Sequence, residues 1–226
     1  MQQNGEEIVT NCAKSGKLMP VFLIMKGKKC VLIGGGDVAE RKVHDLISAE
    51  AAITVIAEKP NTGLERMNKE GLITLETRRF QTGDLKGAFI AFAATDDTAV
   101  NKAVWQEAEK ESIPVNVIDV PELCTFYSGA AVNRGPLQIA ISTNGCSPFM
   151  AGAIRRELEA QYTEDFGDYI LAAGELRLKL LEIDGLDQDK KREALKSLAQ
   201  KESFERYLEN GTRGVWDELK KIISIS

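Results

Sequence analysis

KCVLIGGGDVAERK, residues Lys29 to Lys42, is an apolar run that breaks into three glycines and resumes at helical spacing. Val31, Leu32 and Ile33 read as a buried strand, and Val38, Ala39, Val43, Leu46 and Ile47 as the apolar face of the helix that follows. Between them Gly34, Gly36 and Ala39 satisfy G-x-G-x-x-A. In that pattern the first glycine makes the turn, the second lets the backbone come close to a pyrophosphate, and the small third residue packs helix on strand. The phosphates would rest at the positive end of the helix. Glycine pairs also occur in ordinary turns, but the strand before and the helix behind favour dinucleotide binding.

Working outward, Ala52 to Ala57, AITVIA, reads as a second strand with Glu58 directly after it. An acidic residue at this point accepts from the adenosine ribose and favours NAD over NADP. Lys59 beside it blurs that preference, and a solvated turn is an even alternative. Strands are expected at Leu72–Thr77, Ala88–Ala94 and Pro114–Ile118, and helices at Asn61–Glu70 and Thr98–Glu111. Strand and helix thus alternate from Lys29 to Ile118, which predicts an α/β fold with a Rossmann-like doubly wound parallel sheet. Thr95, Asp96 and Asp97 fall at a carboxyl strand end, where such sheets bind ligands; either aspartate would also cap the next helix. Asp119 follows the strand PVNVI and is the carboxylate best placed to take a proton while hydride leaves a substrate, although spacing alone favours a loop-initiating aspartate.

Composition sets the bounds. The 226 residues are 43% hydrophobic and 28% charged, a globular balance with room for one larger and one smaller domain. No apolar run is long enough to span a bilayer. Met1 to Lys17 lacks the basic start and apolar centre of a secretory signal and reads as a loose extension. A net charge of −5 argues against nucleic acid as the main partner. Cys12, Cys30, Cys124 and Cys146 form no C-x-x-C, so neither a zinc knuckle nor a disulfide framework is indicated and the cytoplasm is the expected setting. Cys146 precedes a helix start that would stabilise a thiolate, but without a basic partner it reads as inert. The single histidine, His44, is offset from the apolar helix face and expected in solvent. It would have to serve alone in any Ser-His-Asp triad or histidine metal site.

From Pro121 the rhythm changes. Strands around Gly129–Val132 and at Leu137–Ser142 predict an antiparallel ribbon, which is marginal alone and expected to find a partner surface in a second subunit. Ser147 and Pro148 form a helix cap, with Phe149, Met150, Ala153, Ile154 and Leu158 on one face. Helices around Tyr169–Ile183, Asp189–Gln200, Ser203–Glu209 and Gly214–Ile223 complete a bundle broken at Gly185 and Gly211. The expected organisation is an extension (1–17), an NAD-binding domain (18–118), a dimerisation and substrate region (119–146) and a helical C-terminal domain (147–226).

Four stretches in order carry a family resemblance: MPVFL with KGKKCVLIGGGDVAERK, ATDD at Ala94–Asp97, PVNVIDVPELCTF at Pro114–Phe126, and PLQIAISTNGCSP at Pro136–Pro148. Together they resemble the precorrin-2 dehydrogenase and sirohydrochlorin ferrochelatase family, the amino-terminal module of siroheme synthase, over Leu18 to about Leu158. The remaining helices match only in being helical and of suitable length. The resemblance implies NAD-dependent oxidation of precorrin-2 to sirohydrochlorin and, in bifunctional members, insertion of ferrous iron as a second substrate to give siroheme. It implies Asp37 and Val38 at the NAD phosphates, Glu58 and Lys59 near the adenosine end, and Thr95 and Asn116 toward the ribose and nicotinamide. Asp119 matches the family's essential aspartate, which reverses the weighting from spacing. Ser142 and Thr143 match a loop beside the tetrapyrrole, and the family's homodimer agrees with the unpartnered ribbon.

The carboxylates of a tetrapyrrole require basic groups, for which Arg134, Arg155 and Arg156 are the candidates; the last two are equally the wet face of a helix. Two departures stand out: Cys146 occupies a position that is often basic in the family, and 226 residues leave no room for the methyltransferase fused to some relatives, so precorrin-2 is expected from another protein. Because iron would be transferred, no permanent metal site is expected. A reading from another class is an NAD-sensing dimeric regulatory module without catalysis.

Overall fold

The computed structural model describes residues 18–223; the expected extension of Met1 to Lys17 lies outside them. The chain divides into two compact units at Ser128 and Gly129. In the first, β1 (Lys29–Ile33), β2 (Ala52–Ile56), β3 (Thr74–Glu76), β4 (Ile90–Ala93) and β5 (Val115–Val117) form a parallel sheet in the order β3-β2-β1-β4-β5. Helices α1 (Asp37–Ser48), α2 (Thr62–Lys69) and α3 (Thr98–Glu111) connect them. The expected Rossmann-like α/β fold is present.

Alternation along β1 shows why this sheet needs cover on both sides. Cys30 and Leu32 pack on one face with Ala39, Val43 and Leu46 of α1 and Leu64 and Met67 of α2. Val31 and Ile33 pack on the other with Val104 and Ala108 of α3. Each fully buried leucine or valine here contributes on the order of 1.5–3 kcal/mol. β3, β4 and β5 are shorter than the apolar runs suggested. Ala88 closes a turn onto Leu85 and Phe89 bonds to Lys29 just outside the ladder, so β4 pairs with β1 only from Ile90.

In the second unit, β6 (Ala130–Arg134) and β7 (Leu137–Ile141) form an antiparallel hairpin whose two-residue loop starts at Gly135, at φ +53°. Positive φ at this point is what tight hairpin loops require. Helices α4 (Pro148–Gln161), α5 (Glu164–Glu182), α6 (Gln188–Ser197) and α7 (Lys201–Ile223) follow. Their core is Tyr169, Leu176, Leu180, Ala194, Leu198, Val215 and Leu219. The break expected at Gly211 is a kink inside α7, with φ 62° and ψ −167°. The apolar face expected of α4 is covered in part: Ala153, Ile154 and Leu158 are half-buried on the side of buried Ala151, whereas Met150 is exposed and Phe149 is 93% exposed. Helical periodicity located the stripe but not how far toward the start of the helix it is covered. Among the described residues no helix is long and apolar enough to cross a membrane.

Candidate functional site

The carboxyl ends of β1, β2 and β4 open into a cleft of about 660 Å³. It is lined by the glycine turn with Asp37 and Val38, by Glu58 and Lys59, by Arg78, Arg79 and Phe80, and by Ala94 to Asp97 with Val100. The cleft lies where the strand order reverses at β1, so helices leave the sheet on opposite faces and an opening remains between them.

The three glycines have different tasks. A Cβ on Gly34, at φ +137°, would sit 2.2 Å from the Ala94 carbonyl oxygen, and its N–H donates to Ile56 at 3.0 Å. A Cβ on Gly35 would meet the Lys59 carbonyl oxygen at 2.5 Å. A Cβ on Gly36 would meet nothing within 4 Å. Gly36 is also the N-cap of α1 and supplies no side-chain cap, so the first N–H groups of that helix face the cleft available to an anion. Gly34 and Gly35 therefore serve the fold, whereas no packing in the described residues requires Gly36 to lack a Cβ. The G-x-G-x-x-A template passed over Gly35 because it reserves no role for the middle position.

Asn61 holds this turn from the side, through a bond from its N–H to the Gly35 carbonyl at 2.8 Å and from its amide to Glu40 at 2.6 Å and Asp37 at 3.3 Å. Its Oδ1 caps α2 by accepting from Leu64. Glu58 is exposed at the end of β2 and pairs with Arg79. Arg78 is clamped, donating two bonds of 2.8 Å to Asp84 and one of 2.9 Å to Glu76. The two arginines and Phe80 follow the three-residue strand β3, in a loop without periodicity or motif to mark it.

Across the cleft, Thr95 follows β4. Asp97 is the cap of α3, accepting from Ala99 at 2.8 Å and Val100 at 3.2 Å. Asn101, one turn into α3, is buried against Thr95. Asn116 lies within β5 and does not line this cleft; its amide donates to the Phe126 carbonyl at 2.9 Å. Asp119 does not line it either. It is exposed at the same carboxyl edge, beyond the strand adjacent to β4, with Ile118 bonded to the Ala93 carbonyl at 2.9 Å.

Asp119 has φ +60° in a turn closed by Val120 N–H on the Val117 carbonyl at 3.2 Å. Aspartate tolerates this left-handed region better than most residues, yet a non-glycine held there stores strain of a kind that concentrates at functional sites. The Cys124 thiol braces the turn, accepting from Val117 N–H at 3.3 Å and lying 3.2 Å from the Val117 and 3.4 Å from the Val120 carbonyl oxygens. Burial raises its pKa above the ordinary value, outweighing the Val117 N–H, so it remains a thiol able to donate. His44 is exposed, 3.9 Å from Glu40.

In the second unit, Ser142 Oγ accepts from Asn144 N–H at 3.1 Å and Thr143 Oγ1 from Ser147 N–H at 3.1 Å. Both hydroxyls thus use an oxygen lone pair to shape their loop, and among the described residues neither proton is given to an acceptor. Arg134 donates to the Tyr162 carbonyl at 3.0 Å and pairs with Glu164 at 3.2 Å, bracing the start of α5. Arg155 pairs with Glu159 at 2.6 Å along α4, and Arg156 is exposed.

Comparison with known proteins gives the same division. Residues 21–130 match the family described as "Putative NAD(P)-binding", and residues 134–161 match "Sirohaem biosynthesis protein central". The siroheme synthase of Methylococcus capsulatus is 41% identical over 159 residues, 70% of this chain and 34% of that protein. The siroheme synthase of Citrobacter koseri is 38% identical over 162 residues, 72% of this chain and 35% of that protein. The chain therefore spans about a third of the length of these relatives. The solved structure of SirC, precorrin-2 dehydrogenase, superposes with a TM-score of 0.74 at 25% identity, covering 90% of this chain and all (100%) of that one. The first unit is an NAD(P)-binding domain, and with the matching central segment behind it the chain belongs to the family of SirC and the amino-terminal module of siroheme synthase.

Proposed function

We propose that the protein oxidises precorrin-2 to sirohydrochlorin with NAD as hydride acceptor. The observation that carries this reading is the pairing, on one sheet edge, of an open glycine cleft with a strained aspartate at the neighbouring strand tip. When bound, NAD supplies the acceptor for two electrons and a proton. The chain supplies the rest. Gly36 and the start of α1 hold the phosphates with Asp37 and Val38 beside them, and Gly34 shapes the turn. Glu58, with Lys59 beside it, accepts from the adenosine ribose and favours NAD over NADP. Thr95 faces the nicotinamide half, and Asn116 supports it from within β5. Asp119 takes the proton that substrate loses as hydride departs, so the reaction yields sirohydrochlorin, NADH and one proton.

Substrate carboxylates are met by the Ser142 and Thr143 hydroxyls with Arg155 and Arg156. Arg134, held by the Tyr162 carbonyl and Glu164 as Arg155 is by Glu159, adds positive charge to this edge of the substrate region. The homodimer reading is supported by the open face of the hairpin and by Phe149 and Met150, which the described residues leave exposed. Ferrous iron insertion into the product would draw on the same carboxylate, since two pyrrole protons must leave.

The test uses the full chain with precorrin-2 and NAD, following NADH absorbance and then siroheme absorption after ferrous iron is added. Asn tolerates the left-handed backbone as Asp does, so Asp119→Asn removes charge without altering the turn. Turnover should fall by about 100-fold or more with NAD affinity unchanged. Retained turnover in this variant would remove Asp119 from the mechanism. Absence of NADH formation by the parent protein would leave the regulatory-module reading standing.

A further inference from the structure

Asn101 is one of three buried polar residues among the described ones, and its hydrogen bonds determine what Thr95 can offer to the cleft. Its amide nitrogen donates to the Thr95 backbone carbonyl at 2.9 Å. A carbonyl oxygen only accepts, so this bond fixes which end of the amide is nitrogen. The other end, Oδ1, lies 2.8 Å from Thr95 Oγ1 and can only accept. The Thr95 hydroxyl must therefore spend its one proton inside the chain, on Asn101 Oδ1 or on the Asp97 carbonyl at 3.1 Å. One lone pair of Oγ1 takes the Asp97 N–H at 3.2 Å. Among the described residues the second lone pair has no donor, and Thr95 lines the cleft.

We infer that Asn101 is a positioning residue that locks Thr95 as a pure acceptor, so that Thr95 binds a proton-donating group on the far half of the dinucleotide and is no part of the phosphate cradle. Ionised phosphate oxygens have no proton to give, and an oriented lone pair repels them. The groups that fit are a hydroxyl of the second ribose or the amide N–H of the nicotinamide carboxamide. The same lock separates the two walls of the cleft by chemistry. The α1 wall presents N–H groups to negative charge, and the β4 wall presents an oxygen to a donor. A dinucleotide is thereby given one direction in which to lie.

The inference rests on the dinucleotide reading of the cleft, and its test separates the two. Calorimetric titration of the full-length protein with ADP, ADP-ribose and NAD adds first the phosphates, then the second ribose, then the carboxamide. Thr95→Val should weaken NAD roughly 5-fold, the effect of one hydrogen bond, and leave ADP unchanged. Thr95→Ser, which keeps the hydroxyl, should restore NAD affinity to within about 2-fold. A loss shared by ADP-ribose and NAD assigns the ribose hydroxyl, and a loss confined to NAD assigns the carboxamide; both support the inference. Asn101→Ala should weaken NAD by a similar factor, and the double variant should be no worse than either single one, because both remove the same bond. A fold that loosened for general reasons would instead multiply the two losses. Equal weakening of ADP by Thr95→Val, multiplied losses in the double variant, or no change in NAD affinity would each overturn the assignment of Asn101 and Thr95. Failure of the parent protein to bind either ADP or NAD would overturn the dinucleotide reading itself.

Discussion

At Gly34 the left-handed backbone and the Ala94 carbonyl leave no place for a methyl group, so Gly34→Ala should destabilise the first unit by at least about 2 kcal/mol in urea unfolding. Two positions on, the expectation inverts. A methyl at Gly36 has open space and an ordinary φ of −90°, so Gly36→Ala should keep the parent melting temperature yet weaken NAD about 10-fold or more by filling the approach to the phosphates. The pair distinguishes a glycine needed by the fold from one needed by the ligand. Asp84 is set by its partner. Burial would raise its pKa, but the Arg78 hydrogen bonds, the Gln81 N–H and the positive charges of Arg78 and Lys29 prevail and hold it below the usual carboxylate range. A carboxylate with a depressed folded pKa contributes stability above its unfolded pKa and loses it as pH falls through the folded one. The Arg78 clamp should therefore be intact at neutral pH and released only in acid below the usual carboxylate range. Asp84→Asn should lower stability at pH 7 by about 1–3 kcal/mol and flatten the acid limb of the stability profile.

Among the elements, α7 carries its break at Gly211 in a backbone region open essentially to glycine alone. Gly211→Ala should accordingly lower the thermal midpoint of the second unit, with a cost of about 1–3 kcal/mol. That break was legible in the sequence because glycine interrupts an otherwise continuous helical pattern. So were the five strands and the glycine turn, since a parallel sheet covered on both faces needs apolar runs and the turn needs residues without Cβ. The strand ends were not, because β4 stops where β1 stops offering partners, which no run of Ala88–Ala94 encodes. Nor was the loop of Arg78 and Arg79, which enters the cleft because a three-residue strand ends there. Asn101 carries no motif; the signal for it is a polar residue one turn into α3 on the side that the helix buries. The apolar stripe of α4 was legible, with Ala153, Ile154 and Leu158 half-buried, but periodicity does not say that Phe149 and Met150 at its start stay exposed.

At the scale of the molecule, the described residues form two groups of cores, one around the sheet and one among α5, α6 and α7. Calorimetry should resolve two transitions, and saturating NAD should raise the one belonging to the sheet by several degrees while leaving the other in place. Coincident transitions that move together would contradict this. Light scattering should give twice the monomer mass, reduced to the monomer by Phe149→Glu, because a charge replaces an uncovered ring on the proposed interface. Among the described residues three cysteines lie at three depths: Cys146 exposed, Cys124 half-buried beneath the Asp119 turn, and Cys30 inside the sheet with its thiol pushed up to about 11 by burial. Nature has thus installed a nested clock. An alkylating reagent should mark Cys146 within its own reaction time, Cys124 at the rate at which the bend above it springs open, and Cys30 when the sheet itself comes apart.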